Sequence, residues 1–296
     1  MSDKYAAIAA HRTAFPVTLM CRVLGVSCAG FYAAPARRPS ARTQSDEPLR
    51  VQIRTAFAQS RKRFGAPRIM RALRTQRVRV STKRVARLMQ AEGLQGRPPR
   101  RWVRTTQRNP ADRVAPNLLD RDFEVRTTRP LNTVWVSDVT FLPTRMGWLY
   151  LAVVLDLASR RVVGWATSAH NDTALVLVAL QRALAVRQPP VGWWHHSDQG
   201  STYTSADYRA AITTAQGIAS MSRRGNCWDN AVAESFFATL EWELLDGASF
   251  DTHAACHGAL VSFIDTWYNH ERLHSSLAYQ TPVQFEQGLL RTRRAA

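Results

Sequence analysis

The spacing of apolar positions changes character near residue 130. Before it, apolar residues recur every three to four positions, the period of a helix that buries one face. Residues 16–33, PVTLMCRVLGVSCAGFYA, read as a short helix, a turn at Gly25, and a second helix with Ser27 as its N-cap. That is helix-turn-helix punctuation, and a small helical hairpin has the same pattern. The stretch APARRPSARTQSDEP over 34–48 reads as a polar, proline-marked linker. Over 49–96 the pattern is clearer. Pro67 opens a helix with Ile69 and Leu73 on one face; Ser81 caps another with Val85, Leu88 and Met89 inward, ending at Gly93. Lys83, Arg84 and Arg87 point away from that apolar stripe. Residues 97–129 show little periodicity.

After 130 the period shortens to that of strands. TVWVSDVTFLP, GWLYLAVVLDLAS and RRVVGWATS are three β-rich runs at hairpin spacing. They are followed by the helix NDTALVLVALQRALAVR, the strand VGWWHHSD, a helix capped near Ser205, and the short strand IASMS. Asp229 or Asn230 caps the helix AVAESFFATLEWELL, and a further helix covers about 253–269. Three antiparallel strands followed by alternating helices and strands predict an α/β fold. Its mixed five-stranded sheet is flanked by helices and preceded by small all-α units. The expected divisions are an N-terminal helical segment with its linker (1–48), a helix-turn-helix DNA-binding domain (49–100), a basic linker (101–129) and a catalytic unit (130–296).

Charge sharpens this division. Of 40 Lys+Arg and 22 Asp+Glu, residues 1–130 hold 28 basic and 8 acidic side chains, whereas 131–296 hold 12 and 14. A basic front half without an amphipathic lipid anchor points to nucleic acid rather than membrane. Most of those cations are Arg, which grips phosphate bidentately. The row Lys83, Arg84 and Arg87 is therefore read as a helix face offered to DNA, in preference to a solvated surface. The RPPRRWVR stretch reads as a connector that can follow a phosphate backbone. Four cysteines without a CxxC pair fit a reducing cytoplasm. No apolar run reaches the roughly 18–20 residues of a membrane span, so a cytoplasmic protein without membrane partners is expected.

Three acids carry the candidate chemistry. Asp138 lies mid-strand in VWVSDVTF, where a lone carboxylate is costly unless something binds it. Asp198 ends a strand that pairing can place beside the first, and Glu234 lies in the opening turns of a helix able to cross those strand ends. Such an acidic cage repels itself without cations, and hard divalent ions suit it. Two Mg²⁺ (or Mn²⁺) ions held there would activate water or a 3′-hydroxyl for in-line displacement at phosphate. The basic loop SRRGNCW, with Arg223, Arg224 and Trp228, reads as a DNA-gripping flap, Trp228 being the candidate for base stacking. Asp156 reads as a strand-end or turn residue. His195 and His196 read equally well as substrate contacts or as satisfied strand-end histidines. Gln199, Gly200 and Ser201 fit a tight turn, and His253, Cys256 and His257 read as ordinary helix residues rather than a zinc pair.

Thirty-five residues lie between Asp198 and Glu234. This spacing, with WVSDVT, GWLYLAVVLDLASRRVVGW, HHSDQGSTYTS, SMSRRGNCWDNAVAESFF and WYNHERLHSSLAYQTPVQFE, resembles the second-frame (OrfB) transposases of the insertion-sequence-three family, relatives of retroviral integrases. The resemblance implies a ribonuclease-H-like core with Asp138, Asp198 and Glu234 as metal ligands. It implies cleavage at insertion-sequence ends by water, then attack of a 3′-hydroxyl on target DNA. It also implies double-stranded DNA as partner, a homo-oligomer on DNA, an upstream-frame (OrfA) product or frameshift fusion, and action at the bacterial nucleoid. One position departs from the pattern. The family commonly carries Lys or Arg seven residues after the catalytic Glu, and here that residue is Glu241. The competing readings are a related metal-dependent nuclease without strand transfer and a catalytically weakened DNA-binding repressor.

Overall fold

Local capping accounts for the first helices. In a computed structural model, residues 2–35, 40–96, 115–119, 130–223, 230–246 and 248–295 are described. Helices α1 (Ser2–His11), α2 (Val17–Leu24) and α3 (Cys28–Ala33) pack around Ile8, Cys21 and Phe31. Gly25 closes α2 in the left-handed region at φ 62°, and the Ser27 hydroxyl accepts the Gly30 N–H at 3.0 Å. The expected linker is shorter than its composition indicates. Ser40 caps α4 (Ala41–Gln59), which runs through Pro48, so residues 41–48 are helix and the boundary expected at 48 falls inside it. Pro48 reads as a breaker in sequence; in the structure it is carried within the N-terminal half of α4.

Helices α5 (Ala66–Thr75) and α6 (Thr82–Ala91) follow, with Pro67 in the first turn of one and Ser81 capping the other. Ile69, Leu73, Val85 and Leu88 are fully buried and meet Leu49, Ile53 and Phe57 of α4. The helix-turn-helix pair is thus braced by a third helix.

Strands β1 (Val134–Thr144), β2 (Gly147–Asp156) and β3 (Val162–Ser168) form an antiparallel meander. Helix α7 (Thr173–Arg187) then leads to β4 (Trp194–Ser197), α8 (Ser201–Thr204), α9 (Ala206–Thr214) and β5 (Ile218–Met221). Both late strands run parallel to β1, giving the order β3-β2-β1-β4-β5. This is the mixed five-stranded, ribonuclease-H-like sheet expected from the sequence. Alternation along β1 sends Val134 and Val136 to one face and Trp135 to the other. The Trp135 face is covered by α7, α8 and α9. At Gly164 a Cβ would stand 2.3 Å from the Ala179 carbonyl oxygen, so glycine is what lets α7 lie against β3.

The Val134 face is covered by α10 (Ala231–Leu240), which widens into π-helical turns over Glu241–Leu245, and by α11 (His253–Val261), which widens over Ser262–Glu271. A short 3-10 turn (Ser275–Leu277) and α12 (Pro282–Ala295) close the chain. Helix α12 is pinned by the buried Glu286, which takes Ser159, Arg161 and Arg187. The apolar core on this face is continuous with that of α4–α6. Phe64 packs on Trp267 with ring centres 5.7 Å apart. Among the described residues no helix is long and apolar enough to cross a membrane.

Candidate active site

Strand register brings the first two acids together. β1 and β4 pair in parallel, Val134 with Trp194, Trp135 with His195, and Val136 with His196. Two residues further along each chain come Asp138 and Asp198. Asp138 shares the Val136 face of β1, because side chains alternate with a period of two. β4 ends at Ser197, so Asp198 begins the turn that follows. Its Oδ1 accepts the Gly200 N–H at 2.9 Å, and the Gly200 carbonyl accepts from Tyr203 N–H at 3.0 Å to start α8. A Cβ on Gly200 would lie 2.9 Å from that same Asp198 oxygen. The turn therefore needs glycine to leave the carboxylate where it is.

Helix α10 brings the third. The Asn230 side chain, at its N-cap, donates to the Ser137 carbonyl at 3.3 Å, which ties the start of the helix to the strand beside Asp138. Val232, Ala233, Phe236 and Phe237 are buried against the sheet and fix the helix rotation. Glu234 stands in the first turn, half-buried like Asp138 and Asp198. Burial pushes the Asp138 carboxyl well above the usual range, and the negative charges of Asp198 and Glu234 push it further, against one backbone hydrogen bond from Val139. Asp138 thus feels both other acids. Among the described residues, however, no three His, Cys, Asp or Glu side chains are drawn tightly enough together to hold one ion. The expected cage is an open arrangement in this structure. Its donors are all hard oxygens, which suit Mg²⁺ or Mn²⁺ rather than a soft metal.

The groups beneath the acids are structural. His195 is buried and bonded through Nε2 to the Ser137 and Tyr208 hydroxyls, both at 2.9 Å; burial, then the neighbouring His196, lowers its pKa to about 3. His196 contacts the Ser220 and Ser222 hydroxyls at 2.9 and 3.2 Å. Both are satisfied core histidines, which settles the alternative left open by sequence. Tyr203 is 2% exposed, packs edge-on to Tyr208, and its hydroxyl has no hydrogen-bond partner among the described residues. Burial holds that phenol well above its usual range, helped by Tyr208, Asp138 and Asp198. Asp156 pairs with Trp135 rather than Asp138 and accepts the Asn132 and Ser159 N–H groups, a turn role as expected. His257 bonds Thr167 at 2.9 Å and packs on Trp165, and Cys256 is buried.

The candidate DNA contacts fall into three groups. Lys83 is exposed on α6. Arg84 and Arg87 turn back to Asp46 of α4: Arg84 Nη2 lies 2.7 Å from Oδ1, and Arg87 reaches Oδ2. The expected row is therefore an exposed Lys83 beside a half-buried Arg84 and an exposed Arg87, both oriented by an internal carboxylate. Arg223 is exposed at the end of its described segment, while Arg224 and Trp228 lie outside the described residues. Glu241 is exposed where α10 widens.

Sequence reading missed three groups: Asn230 as a tether, Asp46 as an orienting acid, and the buried Glu243, which accepts Trp267 Nε1 at 2.8 Å and Arg272 Nε at 3.0 Å. A signal existed for Glu243. It follows Phe236 by seven and Leu240 by three residues, on the helix's apolar face.

Comparison with known proteins adds to this geometry. Residues 128–227 and 218–282 match models of an integrase core domain, and residues 44–102 match an HTH-like domain. The chain is 39% identical over 250 residues to the transposase for insertion sequence element IS904 of Lactococcus lactis, covering 84% of this chain and 98% of the relative. It is 38% identical over 285 residues to transposase InsF for insertion sequence IS3A of Escherichia coli K12, covering 96% and 98%. Among solved structures it matches the catalytic core domain of BIV integrase at 19% identity and TM-score 0.41, covering 55% of this chain and 99% of that one.

Proposed function

The chain belongs to the insertion-sequence-three transposases, DNA-transposing DDE polynucleotidyl transferases, and from that premise we propose that Asp138, Asp198 and Glu234 are the residues with which it cuts and joins DNA. The observation that supports the assignment is the parallel pairing of β1 with β4, Val136 opposite His196, with Asp138 and Asp198 two residues further along and the Glu234 helix tethered beside them through Asn230. In this reading Asp138, Asp198 and Glu234 would together hold two divalent ions, Mg²⁺ or Mn²⁺. Bound there, divalent ions lower the pKa of the attacking water or 3′-hydroxyl and stabilise the leaving oxygen.

The chain's own residues do the rest. Asp138 gives up the proton that its surroundings favour when positive charge arrives. The Gly200 N–H keeps Asp198 aimed, and Asn230 sets the distance from strand to helix. Lys83 contacts the phosphates of insertion-sequence ends, with Arg84 and Arg87 beside it held on Asp46. Arg223, Arg224 and Trp228 are assigned to contact with the reacting strand. The recognition domain is the braced unit beginning in α4, the catalytic unit begins near 130, and 101–129 links them. The working enzyme is a homo-oligomer bridging two ends and a target, alone or fused to an upstream-frame (OrfA) product.

Asp198→Asn is expected to abolish both end cleavage and strand transfer in Mg²⁺ while end binding by gel shift stays within about twofold. Joining activity retained by that variant sinks the assignment. Glu241, a carboxylate where relatives commonly place a cation, favours a second reading as an inactive DNA-binding repressor. Metal-dependent joining of a pre-cleaved 3′-hydroxyl end by the wild-type chain excludes it, and excludes a nuclease that only cuts.

A further inference from the structure

Glu243 lies in the same unbroken helical run as Glu234, since α10 passes directly into the wider turns Glu241–Leu245. Its carboxylate is buried, and three donors from two different units converge on it. Trp267 Nε1 (2.8 Å) and Arg272 Nε (3.0 Å) come from the C-terminal helices of the core. Arg68 Nη1 (3.5 Å) comes from α5 of the helix-turn-helix unit. The surrounding contacts close the same seam. Arg63 lies 4.7 Å over the Trp267 ring and Arg71 lies 5.2 Å over the Tyr279 ring, in each case a cation from the recognition unit over an aromatic of the core.

Two guanidiniums share this one acid, and all are largely out of water. Removing Glu243 would leave two largely buried guanidiniums without a counter-charge, so the recognition-side and core-side cations are held through one carboxylate. The helix also departs from regular α geometry at this point, as helices do where a side-chain requirement shifts the register. The recognition unit is therefore fastened to the core through the very helix that presents Glu234.

We propose that Glu243 is a positioning residue: by holding the α10 run to Arg68 and Arg272 together, it makes seating of the helix-turn-helix unit on the core a condition for setting Glu234 opposite Asp138. This rests on the assignment of Glu234 as a metal ligand.

The test uses the full chain and Arg68→Met, which cuts only the recognition-side pair and leaves Trp267 and Arg272 on Glu243. End binding by gel shift is expected to stay within about twofold, while single-turnover strand transfer at saturating DNA falls about ten- to a hundredfold, the scale of a small misplacement of a catalytic group. Mn²⁺ affinity, read by paramagnetic resonance on the DNA-bound protein, is expected to weaken severalfold, and Arg68→Lys is expected to restore most of both losses. In a Glu243→Gln background, Arg68→Met is expected to add little, because the link is already cut. Loss of end affinity alone, an unchanged rate, or independent multiplication of the two effects overturns the proposal. If Glu243→Gln does not fold, the Met and Lys variants at Arg68 still decide. Glu234→Gln is run in parallel. Strand transfer retained there defeats the metal-site assignment itself, whereas a fully active Arg68→Met beside an inactive Glu234→Gln defeats only the positioning role.

Discussion

Asn230 and Ser137 are joined by a hydrogen bond of 3.3 Å, from a side-chain amide at the start of α10 to a main-chain carbonyl in the middle of β1. Ser137 precedes Asp138, and Asn230 is one helical turn before Glu234, so this bond ties together the segments that carry two of the proposed catalytic acids. Asn230→Ala leaves a buried carbonyl unsatisfied and is expected to cost about 1–3 kcal/mol in urea unfolding. Strand transfer is expected to fall by about tenfold at temperatures where the variant is fully folded. Wild-type rates in a fully folded Asn230→Ala protein would show that α10 is positioned by packing alone.

The Tyr203 hydroxyl offers a contrast, being buried with no partner among the described residues. Tyr203→Phe deletes a polar group without breaking a protein hydrogen bond. Metal-free stability should be unchanged, or rise by up to about 1 kcal/mol. Thermal midpoints with chelator and with Mg²⁺ separate the cases. A loss confined to Mg²⁺ points to a water held by the acids, and a loss in chelator contradicts the orphan assignment.

Acid should loosen the core around His195. His195 titrates near 3 in the fold, lowered from 6.5 first by burial and then by His196. A base with a lowered folded pKa binds its proton more readily when unfolded, so its contribution is present above about 6.5 and is lost as pH falls toward 3. Across that window the slope of stability against pH is expected to reach about one proton from His195. His195→Gln should flatten it, as measured by urea midpoints from pH 7 to 4.

Asp46 orients Arg84 and Arg87, and those guanidiniums, Arg87 first, hold its carboxyl below the usual range. Asp46→Asn should destabilise the helical unit and release both cations. Non-specific DNA binding is then expected to tighten, with the salt slope steeper by up to about two units; Lys83→Ala should flatten it by about one. A slope unmoved by Asp46→Asn means that neither arginine can reach phosphate.

Glu241 is exposed at the point where α10 widens, on the helix that carries Glu234. Glu241→Lys exchanges repulsion of phosphate for attraction. It is expected to tighten end binding severalfold at low salt, and to raise strand transfer at sub-saturating DNA. No change in either would place Glu241 away from the bound strand.

Features decided by near neighbours were legible in the chain. Ser27, Ser81 and Ser205 all cap the helices their positions announced, because a cap needs only the next three residues. The alternation in VWVSDVTF gave β1 and placed Asp138 on it. The helix over 41–48 was hidden by polar composition and Pro48, and its stabilising partners lie elsewhere: Asp46 meets Arg84 38 residues away. Short α8 was likewise unmarked, because it is started by the Asp198–Gly200 turn rather than by an apolar stripe. Local pattern identified the acids and register assembled them, but the groups that hold them in place depend on pairings across the chain.

The parallel pairing of β1 with β4 has one more consequence. Ser137 and His195 meet across 58 residues of sequence, and a parallel crossover of that length closes slowly, whereas the contacts within α4–α6 are short-range and form early. On the ribosome the recognition helices are complete before β4, and α10 after it, has been made. A growing chain can therefore hold DNA well before it is able to cut it.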